Sequence, residues 1–203
     1  IKLLCRLYDP TEGEILLNGI NIRKYRYDEY IRIFSVVFQD FKLLALPLGE
    51  NVAGSAEYDR EQVKKCLAYA GFTQRLETLP KGLDTYLYKD LKEEGVDIAG
   101  GEALKIAIAR ALYKDAPFII LDEPTAALDP MAEAEIYSRF NEIVTDKTAI
   151  YISHRLSSCK FCDEIAVFHE GEIVQKGTHE ELVADTAGKY YELWSAQAQY
   201  YTK

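Results

Sequence analysis

The segment Phe118-Ile119-Ile120-Leu121-Asp122-Glu123 constrains this chain more than any other. Four consecutive apolar residues leave no polar face, so a strand built from them must be covered on both sides, as strands of parallel sheets are. A helical pattern through Leu104, Ile108, Ala111 and Leu112 precedes it over Gly101 to Asp115, and a second amphipathic pattern follows over Ala132 to Val144. Thr148 to Ser153 then repeats the apolar strand pattern. Buried strands alternating with amphipathic helices predict an α/β fold, a parallel sheet flanked by helices. Ligands of such sheets gather at the carboxyl ends of the strands, which is where Asp122 and Glu123 fall.

Around this core the patterns are shorter. Leu3, Leu4 and Leu7 share one face of a helix over Ile1 to Tyr8, which Asp9-Pro10 ends. Ile15-Leu16-Leu17 reads as a strand between turn signals, and Ile33 to Gln39 as another. Glu57 to Gly71 reads as a helix burying Val63, Leu67 and Ala70, and Leu79 to Asp97 as mostly loop. Ile165 to Phe168 and Ile173 to Gln175 flank His169-Glu170-Gly171-Glu172, a hairpin signal. Helices over His179 to Asp185 and Lys189 to about Tyr200 close the chain.

Charge and cysteine content exclude some roles. Lys and Arg number 24 against 33 Asp and Glu, a net charge of −9, which opposes coating a nucleic acid. No apolar run approaches the roughly 20 residues of a membrane span. The 4 cysteines are too sparse for a disulfide scaffold and suit a reducing cytosol. Cys159 and Cys162 form an isolated CxxC without a second pair, so packing is preferred over zinc or redox chemistry. The 15 tyrosines, including Tyr190, Tyr191, Tyr200 and Tyr201, are expected to serve packing before any partner surface.

The polar residues at strand and helix ends carry the chemistry. Asp122 at a strand end can hold Mg²⁺ beside phosphates, and Glu123 can polarise an attacking water. Taken alone, Asp-Glu-Pro is equally well a polar turn. Ile98-Ala99-Gly100-Gly101-Glu102 opens the next-upstream helix, where glycines and unpaired N–H groups favour an anion. His154 ends the Thr148 strand and Gln39 ends the Ile33 strand.

In this order and spacing, the series resembles the nucleotide-binding domain of ABC transporters, from Ile1 to about Gln197. The resemblance implies a P-loop NTPase-like parallel sheet flanked by helices, with a helical subdomain over about 45–105 that carries the signature motif. It implies one truncated ATPase domain over 1–203. Gln39 then matches the glutamine that reaches the metal, with Asp122 on Mg²⁺, Glu123 as the catalytic carboxylate and His154 as the switch histidine. Ala99, Gly100, Gly101 and Glu102 match the signature that contacts ATP on the opposite subunit. Ala127-Leu128-Asp129 matches the loop at the dimer interface. Glu93 before the signature, and Gly177-Thr178-His179-Glu180-Glu181-Leu182 with the Tyr-rich tail, point to the exporter branch. The implied ligands are ATP and Mg²⁺. The implied partners are a second nucleotide-binding domain, identical or not, and membrane permease domains, fused or separate, at the cytoplasmic face of the cell membrane. No nucleic acid is implied.

Two departures stand out. No G-x-x-x-x-G-K-[ST] loop occurs in the 203 residues. The resemblance places that loop just upstream of Ile1, so a fragment is expected, inactive alone and marginally stable, lacking N-terminal strands. The strand that feeds the loop is expected beside the Asp122 strand. The second departure is Ala99, where the family most often has Ser. An Ala cannot complete a Ser-x-x-Glu capping box, a loss of about 0.5–2 kcal/mol. Leu104 also stands near a position where many relatives have Gln. A soluble ABC ATPase without a membrane partner, and a non-catalytic scaffold subunit, remain as alternatives.

Overall fold

The computed structural model describes residues 1–123, 144 and 147–201. The helix expected from Ala132 falls almost wholly outside them, as does Asp129. The chain divides into two compact units, residues 1–128 with 142–152, and residues 129–141 with 153–203.

The first unit is built on a parallel sheet of β3 (Phe34–Val37), β4 (Phe118–Asp122) and β5 (Thr148–Ile152), in the order β3-β4-β5. Val37 pairs with Leu121 and Asp122 with Ile152, so the three carboxyl ends share one edge. The continuous apolar run is buried as its composition demands: Ile119, Ile120 and Leu121 are each 0% exposed. Both neighbours of β4 are thereby fixed, which overturns the placement of a further strand beside the Asp122 strand. A strand has two hydrogen-bonding edges, and β3 and β5 occupy both.

Ahead of the sheet, β1 (Leu16–Leu17) and β2 (Ile20–Asn21) form a small hairpin. Its turn residues Asn18 and Gly19 have φ of 52° and 74°, as a two-residue turn of this handedness requires. Ile1 to Tyr8 makes a helical turn, with Cys5 N–H donating to the Ile1 carbonyl, before Arg6 enters the left-handed region at φ 53°. The expected apolar face is buried only in part: Leu4 packs against the core, together with Ile1. Leu3 and Leu7 are exposed, whereas Cys5 is 1% exposed and packs with Ile22, Tyr30, Phe34 and Ile120. One turn is too short for periodicity to select a face.

The α-helices among the described residues of this unit are α1 (Tyr27–Tyr30), α2 (Leu48–Ala53), α3 (Arg60–Tyr69), α4 (Thr73–Thr78) and α5 (Gly100–Lys114). α3 starts later than its pattern suggested, because the Asp59 carboxylate accepts from the N–H groups of Glu61 and Gln62 and fixes the cap there. Val63 and Leu67 are buried as expected, as is Ala70 at the cap that follows the helix. α5 buries Leu104, Ile108, Ala111 and Leu112, packs against α2, α3 and β3, and ends at Asp115 with φ 54°.

In the second unit, β6 (Ile165–His169) and β7 (Glu172–Gly177) form the expected hairpin, turning at Glu170 and Gly171 with φ of 50° and 86°. α6 (His179–Ala184) and α7 (Lys189–Tyr201) follow. Leu156, Ile165, Val167, Leu182 and Tyr190 form the core of this unit. Tyr190 is 1% exposed, and its hydroxyl lies 2.8 Å from His179 Nδ1. Cys159 and Cys162 lie in and just after a 3-10 turn over Leu156–Phe161 and form no disulfide; burial pushes the Cys162 thiol above its ordinary range.

Candidate nucleotide site

The carboxyl edge of the sheet collects three of the expected side chains. Asp122 is the last residue of β4. Glu123 follows, and its N–H donates to the Ile152 carbonyl at 2.9 Å, extending the ladder by one bond. Glu123 has φ 45°, a left-handed conformation that costs a non-glycine residue about 1–3 kcal/mol. The extra ladder bond and the buried strand behind it hold that conformation against its cost. Gln39 lies two residues beyond the end of β3, in an exposed turn where Phe41 N–H donates to the Phe38 carbonyl at 3.2 Å. The strand thus stops at Val37, short of the glutamine. The Gln39 turn, Asp122 and Glu123 therefore stand at one edge by register.

His154 follows β5 by two residues and belongs to the second unit. It is exposed, and Ser153 Oγ accepts from the next residue's N–H, Arg155, at 2.9 Å. Its carbonyl accepts from Gln197 of α7.

The start of α5 places Ala99 at the cap, with extended backbone and no side-chain capping bond. Ala99 N–H donates to the Glu102 carboxylate at 3.1 Å, and the Ala99 carbonyl accepts from Ala103 N–H at 2.8 Å. One half of a capping box is present, and the half that needs a hydroxyl is not. The other Glu102 oxygen lies 2.9 Å from Arg75 Nε of α4. Glu102 is thereby engaged within its own chain. Gly100 is different: a Cβ there would meet nothing within 4 Å, and its φ is not in the left-handed range. No contact within the described chain requires glycine at this position.

The segment after the Gln39 turn is knotted to α5 by two residues that the sequence reading did not single out. Asn51 is 2% exposed; its Nδ2 donates to the carbonyls of Leu44, Leu46 and Pro47, and its Oδ1 accepts from Leu44 N–H. Arg110 of α5 donates from Nε to the Asn51 carbonyl at 2.7 Å and from Nη1 to the Lys42 carbonyl at 3.1 Å. Burial lowers the pKa of this guanidinium. These bonds join residues 59 and 68 apart, so no local pattern announces them.

Glu93 lies on an exposed loop with its own scaffold. Tyr88 N–H donates to the Val96 carbonyl and Val96 N–H to the Tyr86 carbonyl, both at 2.9 Å. A Cβ at Gly95 would lie 1.7 Å from the Tyr88 carbonyl oxygen, so only glycine fits. Lys81 pairs with Glu94, and Leu91 is 64% exposed near Glu93.

The donor set at the sheet edge consists of two carboxylates and an amide, the hard oxygen ligands that suit Mg²⁺. The N–H groups at the start of α5, beside a glycine with open space around it, suit a phosphate.

Residues 1–126 match the family model described as ABC transporter. The chain belongs to the ABC transporter family. It is 42% identical over 198 residues to an ATP-dependent lipid A-core flippase of Idiomarina loihiensis, covering 97% of this chain and 33% of that protein. It is 38% identical over 200 residues to the mitochondrial iron-sulfur clusters transporter ATM1 of Candida glabrata, covering 97% of this chain and 27% of that one. Among solved structures, a bacterial Atm1-family ABC exporter with ATP bound superposes with a TM-score of 0.87 at 34% identity, over 97% of this chain and 34% of the other. This ABC transporter chain thus spans about a third or less of the relatives it matches. Among its described residues no helix is long and apolar enough to cross a membrane.

Proposed function

We propose that these residues are the ATP-hydrolysing domain of an ABC exporter, working at the cytoplasmic face of a cell membrane. The observation that carries the reading is the pair Asp122 and Glu123 at the carboxyl end of the central parallel strand, with the Gln39 turn on the same edge. On this reading residues 1–203 are one truncated ATPase domain, with a helical subdomain over about 45–105 that carries the α5 start.

Asp122 and Gln39 would hold Mg²⁺, which when bound neutralises charge on the phosphates. Glu123 orients and polarises the attacking water, its side chain aimed by a backbone conformation that the ladder bond to Ile152 maintains. His154 donates to a γ-phosphate oxygen. Two domains pair head to tail around ATP, and the second copy's α5 start faces the γ-phosphate, with Asp129 at the interface. Because Glu102 is held by Arg75 and by Ala99 N–H, the anion contact falls to the N–H groups at Gly100 and Gly101. The phosphate-cradling loop is supplied by the longer protein, so the 203 residues alone turn over no ATP. Closure of the pair reaches permease domains, fused or separate, through the Gln39 turn and the Glu93 loop.

The test is ATP hydrolysis by the full-length protein against its Glu123→Gln variant. The variant should lose about 10²–10⁴-fold in kcat while still binding ATP. Hydrolysis undiminished in the variant would refute the assignment of Glu123, and no hydrolysis in either would leave the scaffold role.

A further inference from the structure

The backbone around His154 is held from the far end of the chain. Gln197 of α7 uses one side-chain amide for two bonds. Its Oε1 accepts from Leu156 N–H at 3.0 Å, and its Nε2 donates to the His154 carbonyl at 2.5 Å. The partners lie 41 and 43 residues away in sequence, so the amide bridges the turn from outside it. Within the bridged turn, Ser153 Oγ accepts from Arg155 N–H.

Each end of the bridge is anchored. Leu156 is buried in the core of the second unit with Leu182 and Tyr190. On α7, Tyr190 N–H donates to Gln175 Oε1 at 2.8 Å, and Trp194 packs on His179 and receives Lys160 over its ring. Fixing the His154 carbonyl fixes the peptide plane that follows the histidine, which restricts ψ of His154 and so narrows the directions in which its imidazole can leave the backbone. The bridge needs a donor and an acceptor on one planar group. An amide offers both, whereas a carboxylate offers only acceptors.

We propose that Gln197 is a positioning residue for His154, so that the C-terminal helix sets the orientation of the histidine at the phosphate. This rests on the reading of His154 given under Proposed function. Losing the bridge leaves ATP binding largely intact and slows the chemical step.

The experiment compares full-length protein with Gln197→Leu and Gln197→Glu, measuring ATP hydrolysis from about pH 8 down to about pH 5. Gln197→Leu should lower kcat by at least about tenfold with KM for ATP within about twofold, at every pH. Gln197→Glu should match it at high pH, where the carboxylate cannot donate to the His154 carbonyl. As the pH falls it should recover relative to the parent, because a neutral carboxyl again donates and accepts. Hydrogen exchange supplies the reading that does not depend on turnover. In Gln197→Leu the Leu156 amide should exchange at least about tenfold faster, while the α7 amides before residue 197 keep their protection. A kcat within twofold of the parent in both variants, or unchanged protection at Leu156, would overturn the proposal. Equal slowing of both variants with the Leu156 amide as protected as in the parent would also overturn it, leaving Gln197 as an anchor of α7 only. A parent that hydrolyses no ATP would refute the ATPase reading itself, and Leu156 exchange would then decide alone whether Gln197 holds the turn.

Discussion

At two of the described helix starts the glutamate three positions after the cap accepts from the cap N–H, and the two end up differently. At the start of α6, Thr178 N–H donates to the Glu181 carboxylate at 2.9 Å, and Thr178 Oγ1 accepts from Glu181 N–H at 3.3 Å. At the start of α5, Ala99 N–H donates to the Glu102 carboxylate, and a methyl group stands where the returning oxygen would be. The α6 box is also crowded: a Cβ at Gly177 would lie 2.8 Å from Glu181 Oε2, whereas one at Gly100 would touch nothing. One start is closed by its own side chains and serves the packing of α6 and α7. The other is pinned on one side by Glu102 and left approachable at its glycines. The same four-residue rule yields a closed, stabilising element in one place and an open helix start in the other, and a single hydroxyl separates them.

Substitutions at the two starts can break or sharpen this contrast. Glu102→Ala should have the largest effect on stability, about 1–2 kcal/mol, because it removes the ion-pair partner of Arg75 and the acceptor of Ala99 N–H together. A loss below about 0.5 kcal/mol in urea unfolding would show that the pinned side is not pinned. Thr178→Ala should cost about 1 kcal/mol and make the α6 start resemble the α5 start, read as faster amide exchange at Glu181. Ala99→Ser runs the other way. It should stabilise α5 by about 0.5–1 kcal/mol and, in the full-length protein, speed ATP hydrolysis; an unchanged or lower rate would separate the cap from the chemistry. Gly100→Ala should be the mildest for stability, within about 0.5 kcal/mol of the parent, since the site has room. The same variant should weaken ATP-dependent pairing of two domains, measured by size-exclusion chromatography with Glu123→Gln as background. Unaltered pairing would remove the α5 start from the interface.

The sequence made the sheet legible where burial leaves no choice. Phe118 to Asp122 is a strand because an apolar run of that length can only be covered on both faces. Thr148 to Ile152 is a strand as its pattern suggested but not the buried one expected: Thr148 is exposed and the other four residues are half-buried, since β5 pairs only with β4 among the described strands. α5 and the β6–β7 hairpin were equally plain, one through its periodicity and the other through Glu170-Gly171. α2 and α4 were not, since helices of 6 residues are set by tertiary contacts and not by pattern. The Ile1 turn buried Cys5 in place of Leu3 and Leu7 for the same reason. Among the candidate residues, the carboxylates, the glycines and the histidine declare themselves by residue type at element ends. Arg75, Asn51, Arg110 and Gln197 do not. Each acts through bonds to another element, most of them to backbone atoms, and a backbone partner leaves no mark on composition.

The position of β4 between its two neighbours has a consequence for how the chain is made. Phe34 pairs with Phe118, 84 residues later, and no pair in the β3–β4 ladder is closer than that. At about 5–20 residues per second on the ribosome, β3 waits about 4–17 seconds for its partner. Throughout that interval an apolar strand edge built from Phe34, Val36 and Val37 stands unpaired in the nascent chain. Helices α2 to α5 all emerge within it. They can form before the edge is closed, and α5, which packs on β3, covers one face of the strand while its edge is still open.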